Sequence, residues 1–582
     1  MLSNNALEIL KRRYLLQDTD GKIIEEPDDL FLRVASHIAT AERLYSSGDE
    51  YYWRSKFCEL MSRLEFLPNS PTLMNAGRSR GQLAACFVLP IEDTLEGIFE
   101  TLKNAALIHQ SGGGTGFSFS RLRPAGAMVK STMGAASGPI SFMTVYDAAT
   151  EVVKQGSIRR GANMAVLRID HPDIEEFITV KRNRGKLNNF NLSVGITDAF
   201  MQAVEVGREF SLIHPGTGQV VRTVAARSLF ELIVTMAWEN GEPGVLFLDR
   251  ANAANPTPVL GEIESSNPCG EQPLLPYESC NLGSINLVKM LRKSGDGWWI
   301  DYTKLKDVIQ TAIRFLDNTI DVNVFPLEKI RMITLGNRKI GLGVMGFADM
   351  LIYLGIPYDT EEAVRKAEEI MSFIAAESAG ISAQLAKERG AFSNFAQSTY
   401  AAADQPPLRN ATTTTIAPTG TISIIAGCSS GIEPLFAIAF TRNVMNHDLL
   451  RDINPVFLEL AKEYNFADPQ ILAEIGQKGI ASNVEGIPAK IRRSFVTAHE
   501  IAPEWHIRIQ AAFQKFTHNA VSKTINYPHD ATREDVGEGF RLAYKYGCKG
   551  LTVYRDGSRA EQVLTRGVQN NHCELTTGEN CD

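Results

Sequence analysis

Whatever fold this chain adopts must bring one short run, Asn267-Pro268-Cys269-Gly270-Glu271, together with a second thiol eleven residues on at Cys280. The spacing Asn-x-Cys-x-Glu sets an amide, a thiol and a carboxylate on alternate residues. On an extended strand alternate side chains share a face, so all three are expected to look into one pocket. A thiol flanked by a hydrogen-bonding amide and a proton-accepting carboxylate is a reaction centre in outline. A third cysteine, Cys86, stands in Gln82-Leu-Ala-Ala-Cys-Phe-Val-Leu-Pro90. Taken singly, each buried cysteine reads as a small hydrophobe. Eight cysteines in 582 residues make no disulfide scaffold, so their clustering points to catalytic, redox or metal chemistry in a reducing compartment.

Other global features narrow the class. A chain this long holds several domains or one large barrel with additions. A net charge of −8 argues against a nucleic-acid-binding surface while leaving room for a local phosphate site. No apolar run approaches a membrane span, and Met1-Leu-Ser-Asn-Asn-Ala6 lacks the apolar core of a secretory leader, so a cytoplasmic protein without membrane contact is expected. A helix is expected over 27–45, with Pro27 at its start and a stripe of Leu30, Val34, Ile38, Ala41 and Leu44. A second is expected to begin at Asp93, capped by its carboxylate, and to run to Gln110. A third spans 360–389 and ends at Gly390. Glycine and proline crowd 68–81, 111–137, 255–283 and 417–434, where tight loops would approach ligands. Beyond about residue 560 the apolar pattern fades into what reads as a mobile tail.

The run Ser266-Asn-Pro-Cys-Gly-Glu-Gln-Pro-Leu-Leu-Pro-Tyr-Glu-Ser-Cys-Asn-Leu-Gly-Ser284 closely resembles the catalytic signature of the ribonucleotide reductases, and its wording is most similar to their adenosylcobalamin-dependent class II members. The resemblance implies an α/β fold, the ten-stranded barrel of that family, with Cys269 on a finger loop through its centre. A helical N-terminal region would occupy 1–65, the catalytic barrel 66–560 and a cysteine-containing tail 561–582. Residue by residue, Cys269 would carry a transient thiyl radical, Glu271 would take the ribose 3′-hydroxyl proton and Asn267 would bind the sugar hydroxyls. Cys86 and Cys280 would supply two electrons and end as a disulfide. Substrate contacts are implied at Thr72 first and Ser70 second, and at Ala85, Gly114, Pro268 and Gly270. The phosphates would lie on Pro418, Thr419, Gly420, Thr421 and Ile422, within Thr415-Ile-Ala-Pro-Thr-Gly-Thr-Ile-Ser423. There, free amides and hydroxyls precede a new helical segment.

The same resemblance implies an allosteric site over about 93–165 for a dNTP or ATP effector, with Asp93, Arg121 and Arg123 at its phosphates and Arg160 passing its identity to the substrate base. For Asp93 a plain helix cap is the competing reading. The segment Gly341-Leu-Gly-Val-Met-Gly346 fits a dinucleotide fingerprint, but Gly336-Asn-Arg-Lys-Ile340 before it is too polar for the buried strand that fingerprint needs. Class I members take their radical from a metal-containing partner subunit through two adjacent tyrosines. Here Lys549-Gly-Leu-Thr-Val-Tyr-Arg-Asp-Gly-Ser-Arg559 carries Tyr554 alone, and no class III glycyl-radical motif is found. Adenosylcobalamin follows as cofactor from the resemblance, with no metal held directly by the protein. The remaining expectations are a homodimer, a ribonucleotide substrate destined for DNA synthesis, and a thioredoxin-like or small dithiol reductant. Tail thiols Cys573 and Cys581 would carry electrons inward, a zinc site with His572 being the rival. The early helix leaves no room for the family's ATP-cone, so dATP is expected to act at the specificity site only.

Overall fold

The computed structural model describes residues 2–45, 49–79, 81–129, 133–154, 161–182, 185–295, 297–444, 448–558 and 564–566. Three helices open the chain: α1 (Asn4–Arg13), α2 (Pro27–Ala39) and α3 (Glu50–Ser62). Ser3 caps α1 by accepting from the Ala6 amide, and Pro27 takes the first position of α2, where its missing N–H costs nothing. The helix expected over 27–45 ends at Ala39 and tightens into a 3-10 turn, Thr40–Leu44. Leu30, Val34, Ile38 and Ala41 are buried as the stripe requires, whereas Leu44 is 66% exposed because the tighter turn rotates it off the apolar face. Strand β1 (Phe66–Pro68) follows.

Ten extended segments then close a barrel in two halves. The first half is a parallel set, β2 (Cys86–Pro90), β3 (Gly114–Ser118), β4 (Asn163–Arg168), β5 (Phe190–Ile196) and β6 (Gly244–Phe247). Helices α4 (Leu95–Gln110) and α5 (Gly138–Lys154) connect its early strands. Between the halves lies a small antiparallel hairpin, β7 (Ser265–Ser266) with β8 (Pro273–Leu274). The second half is β9 (Ser279–Asn286), β10 (Ile340–Met345), an extended segment 412–416, β11 (Thr524–Tyr527) and β12 (Gly550–Arg555). It too is parallel, with bridges Leu342 to Thr414 and Ile416 to Val521 stitching 412–416 into place. The halves meet antiparallel at both seams, β9 on β2 and β12 on β6. This is the ten-stranded α/β barrel expected from the sequence, and β1 adds an antiparallel edge to β9.

Gly341 and Gly343 lie inside β10, not on a phosphate loop. A Cβ on Gly343 would sit 2.4 Å from the Thr415 carbonyl oxygen, and one on Gly341 2.6 Å from the Thr415 methyl. These glycines let neighbouring chain cross at close range, which accounts for the fingerprint without a dinucleotide.

The apolar core is split by the barrel. One body packs the N-terminal helices against the second half, and the other fills the space between the first half and its helices. A buried charge cluster ties the helical region to helices α6 (Tyr302–Val322) and α7 (Glu361–Arg389). Glu42 pairs with Arg314 and Arg389, and Asp317 with Arg338, Arg389 and Arg409. Burial alone would raise the Asp317 carboxyl, but its guanidinium partners, Arg338 foremost, outweigh that and hold it below its ordinary value. Removing one partner from such a cluster costs about 3–5 kcal/mol by stranding the others.

Candidate active site at the hairpin tip

The tip of the β7–β8 hairpin reaches into the barrel and touches both halves. From the first half, the Asn191 amide on β5 donates to the Pro268 carbonyl at 2.7 Å. From the second, the Ala520 amide and the Thr415 hydroxyl both donate to the Glu271 carbonyl, at 2.9 and 3.0 Å. Room for this passage comes from β3. A Cβ on Gly116 would lie 1.8 Å from the Ser266 carbonyl oxygen, and one on Gly114 3.1 Å from the Pro268 ring.

Residues 267–271 do not form the extended strand expected from their alternation. The Gly270 amide bonds the Asn267 carbonyl at 3.0 Å, and Gly270 has φ +82°, a conformation that favours glycine. The Asn267 side-chain oxygen accepts from the Gln272 amide at 2.9 Å and braces the turn. Convergence is reached by the turn itself. Asn267 and Glu271 are each 2% exposed, and they share with Cys269 the lining of one cavity of about 320 Å³. Cys86 stands beside them: the Asn267 amide donates to its sulfur at 3.1 Å, and its thiol faces Glu271 Oε1 at 3.9 Å.

Cys269 is exposed and borders a second cavity as well, of about 490 Å³, on its other side. Gly270 and Tyr554 line that second space, not the first. Cys280 lines neither, yet the β2–β9 register sets it directly opposite Cys86. Opposed Cα atoms in an antiparallel pair lie about 4.5–5.5 Å apart, within the span a disulfide bridges. Burial pushes the Cys280 thiol well above its ordinary value, with Lys339 opposing and Glu278 and Glu271 adding to the rise. It is therefore held protonated, with its sulfur near the Lys339 carbonyl.

The smaller cavity also gathers Ser70, Ala85, Gly114, Pro268 and the run Pro418–Ile422. Thr72 does not reach it. Its hydroxyl is buried against the Asn69 side chain and the Leu83 carbonyl, so of the two hydroxyl residues Ser70 is the one that faces the space. Asn191, Thr415 and Gly116 carried no assigned role from sequence. Thr415 opens the run that holds the phosphate loop and Gly116 closes the glycine-rich run Ser111-Gly-Gly-Gly-Thr-Gly116, whereas Asn191 had no signal.

On the outer surface, Asp93 is not the cap of α4. The Thr94 hydroxyl takes that role by accepting from Gly97, and the Asp93 carboxylate pairs instead with Arg123 at 2.8 Å. Arg121 lies between Glu92 and Glu264. Arg160, Cys573, His572 and Cys581 lie outside the described residues.

Behind the cavity wall a buried polar chain joins α4, β3, β4 and α5. His109 Nε2 lies 2.8 Å from the Thr115 hydroxyl, which donates to Asn163, whose amide donates to Thr150. Desolvation lowers His109 from 6.5 to about 4, and His518 likewise, so both are neutral in the fold. Between those values the unfolded chain binds protons that the folded chain does not, so stability is lost as pH falls from 6.5 towards 4. Urea midpoints measured across that window should drop with acid, and less steeply in His109→Gln. An unchanged slope would show that His109 titrates normally.

Comparison with known proteins agrees along most of the chain. Residues 1–81 match the family model described as ribonucleotide reductase, all-alpha domain, and residues 84–554 the model described as ribonucleotide reductase, barrel domain. The chain is 49% identical to the vitamin B12-dependent ribonucleoside-diphosphate reductase of Thermoplasma acidophilum, over 97% of this chain and 80% of that one. It is 51% identical to the protein of that name from Mycobacterium tuberculosis, over 97% and 81%. A vitamin B12-dependent ribonucleotide reductase of Streptomyces coelicolor is 31% identical over 85% of this chain and 59% of its own length.

Proposed function

This chain belongs to the ribonucleotide reductase family, and from that premise we propose that it converts ribonucleoside diphosphates to 2′-deoxyribonucleotides, with adenosylcobalamin as radical source and Cys269 as radical carrier. The observation that carries the reading is Cys269 standing between two cavities, with Asn267, Glu271 and Cys86 gathered on one side of it.

The ribose occupies the smaller cavity. Cys269, as a thiyl radical, removes the 3′-hydrogen and becomes a thiol. Glu271 takes the 3′-hydroxyl proton, and Asn267 turns its amide from Cys86 to the sugar hydroxyls. The 2′-hydroxyl leaves as water with a proton from the thiol pair. As their sulfurs join, Cys86 and Cys280 supply two electrons and the second thiol proton, which ends on the 2′-carbon; Glu271 returns its proton to the 3′-oxygen, and Cys269 returns its hydrogen to the 3′-carbon. Burial of Asn267 and Glu271 keeps bulk water from the two side chains that meet the sugar hydroxyls.

The larger cavity has the size of a small-molecule site. Asn526, Thr552 and Tyr554 offer polar contacts there and Val245, Leu246 and Val553 apolar walls, a set that fits an adenosyl group next to Cys269. When bound, the cofactor supplies the radical by homolysis of its carbon–cobalt bond. A reading as a subunit dependent on a radical-generating protein is not favoured, given the B12-dependent relatives. Purified protein should form deoxynucleotide when given adenosylcobalamin, a dithiol and a ribonucleoside diphosphate. Product appearing only after a second protein is added would overturn the cobalamin assignment.

The register of Cys86 against Cys280 makes a separate prediction. After one turnover without reductant, peptide mapping should find these two cysteines joined. Product accompanied by two free thiols would mean that the electrons come from elsewhere. A thioredoxin-like or small dithiol then regenerates the pair, with Cys573 and Cys581 as carriers. We place the enzyme in the cytoplasm, where its redox thiols are kept reduced. We place a dNTP or ATP effector at Asp93, Arg121 and Arg123, with Arg160 carrying its signal. Homodimerisation through α4 and α5 is supported by their exposed Leu95, Phe99, Leu107, Val145 and Val152.

A further inference from the structure

We propose that Arg13, at the end of the first helix, is the ligand of the substrate's terminal phosphate and sets the preference for a nucleoside diphosphate over a monophosphate. This rests on the reading of the smaller cavity as the nucleotide site. Helix α1 packs against the short helix Ile422–Ala426 that follows the cavity-lining loop. Its last turn is basic, and Arg13 Nη1 donates to the Thr421 hydroxyl at 3.4 Å. The next residue, Tyr14, is fully buried and puts its hydroxyl 2.8 Å from that of Ser70. Ser70 and Thr421 both line the cavity. Two consecutive residues of the helix end thus hold two hydroxyls at one end of the space.

That end is also cationic. The Tyr14 carbonyl accepts from Arg78 at 2.6 Å and from Arg33 at 3.4 Å. Arg33 in turn pairs with the buried Glu25. At the hairpin tip the cavity presents the Glu271 carboxylate instead. A nucleotide entering this field points its phosphates toward Arg13 and its ribose toward Glu271. The Thr421 hydroxyl can accept from the guanidinium while donating to a phosphate oxygen, and the planar guanidinium fork matches two phosphate oxygens.

The test compares Arg13→Gln and Arg13→Lys with the unaltered enzyme, using a ribonucleoside diphosphate and the monophosphate of the same base in equilibrium binding and in KM. Arg13→Gln is expected to weaken diphosphate binding about tenfold to a hundredfold, as loss of a charged hydrogen bond does, and to leave the monophosphate nearly unaffected. The loss should appear in KM and shrink at high salt. Arg13→Lys, which keeps the charge without the fork and preserves the helix packing, should fall between. Equal weakening of both nucleotides would mean that Arg13 only seats the helix, and would overturn the assignment. So would diphosphate binding as tight in Arg13→Gln as in the unaltered enzyme. If the unaltered enzyme itself bound the two nucleotides equally, the reading of this cavity as a phosphate site would fail with it.

Discussion

Cys269→Ser is expected to lower turnover on the order of 10⁴-fold or more, the scale seen when the group that forms the reactive intermediate is removed. The O–H bond of serine is too strong for the hydroxyl to serve as a reversible hydrogen carrier, although it is close to the thiol in size. The site should otherwise survive. Cys269 is exposed at the turn, and hydrogen bonds that brace that turn run through Asn267, Gly270, Gln272 and the Glu271 carbonyl. Nucleotide binding, measured by equilibrium dialysis, should therefore stay near that of the unaltered protein. Deoxynucleotide formation above background in this variant would sink the mechanism.

The second large effect is expected from a single methyl group. Gly116→Ala puts a Cβ 1.8 Å from the Ser266 carbonyl oxygen, a distance no carbon–oxygen contact tolerates. The obstacle is backbone on the hairpin, so the conflict resolves only if the hairpin or β3 shifts by more than about 1 Å. A displacement of that size at a reacting centre costs about 100-fold in rate, and the strain adds about 1–3 kcal/mol of lost stability. Gly380→Ala is the control. It lies on α7 with nothing within 4 Å of its Cβ, and it should leave the rate unchanged and raise stability by up to about 1 kcal/mol, alanine being the better helix former. If Gly116→Ala retained full activity, the hairpin would not be seated as described.

How much of this was legible beforehand depends on how local each feature is. The chemistry-bearing groups were. Asn267, Cys269, Glu271 and Cys280 fall within 14 residues of one another, and the loop 418–422 carries its hydroxyls and glycine in one stretch. Helix α7 was legible too, because Thr360 and Gly390 stop it at both ends. Adjacent residues of similar chemistry were not separable. Asp93 and Thr94 can each cap a helix, and Arg123, thirty residues on, draws the carboxylate away. Ser70 and Thr72 sit on one short helix, and Asn69 with the Leu83 carbonyl claims the threonine.

Residues 267–271 share a pocket, but not through strand alternation. A period of two does not hold in a run that contains Gly270, whose positive φ closes a turn. What brings three side chains together there is that turn, seated against Asn191 from one half of the barrel and Thr415 and Ala520 from the other. Arg13 and Thr421 stand 408 residues apart, and no periodicity links them. By itself the sequence determined which reactive groups exist, their order and the helices with clear ends, since propensity and capping act over a few residues. Only the tertiary structure decided that Cys86 faces Cys280, that Ser70 and not Thr72 meets the cavity, and that Gly116 admits the hairpin. Those outcomes depend on register and packing between distant segments, where burial and steric fit override local preference.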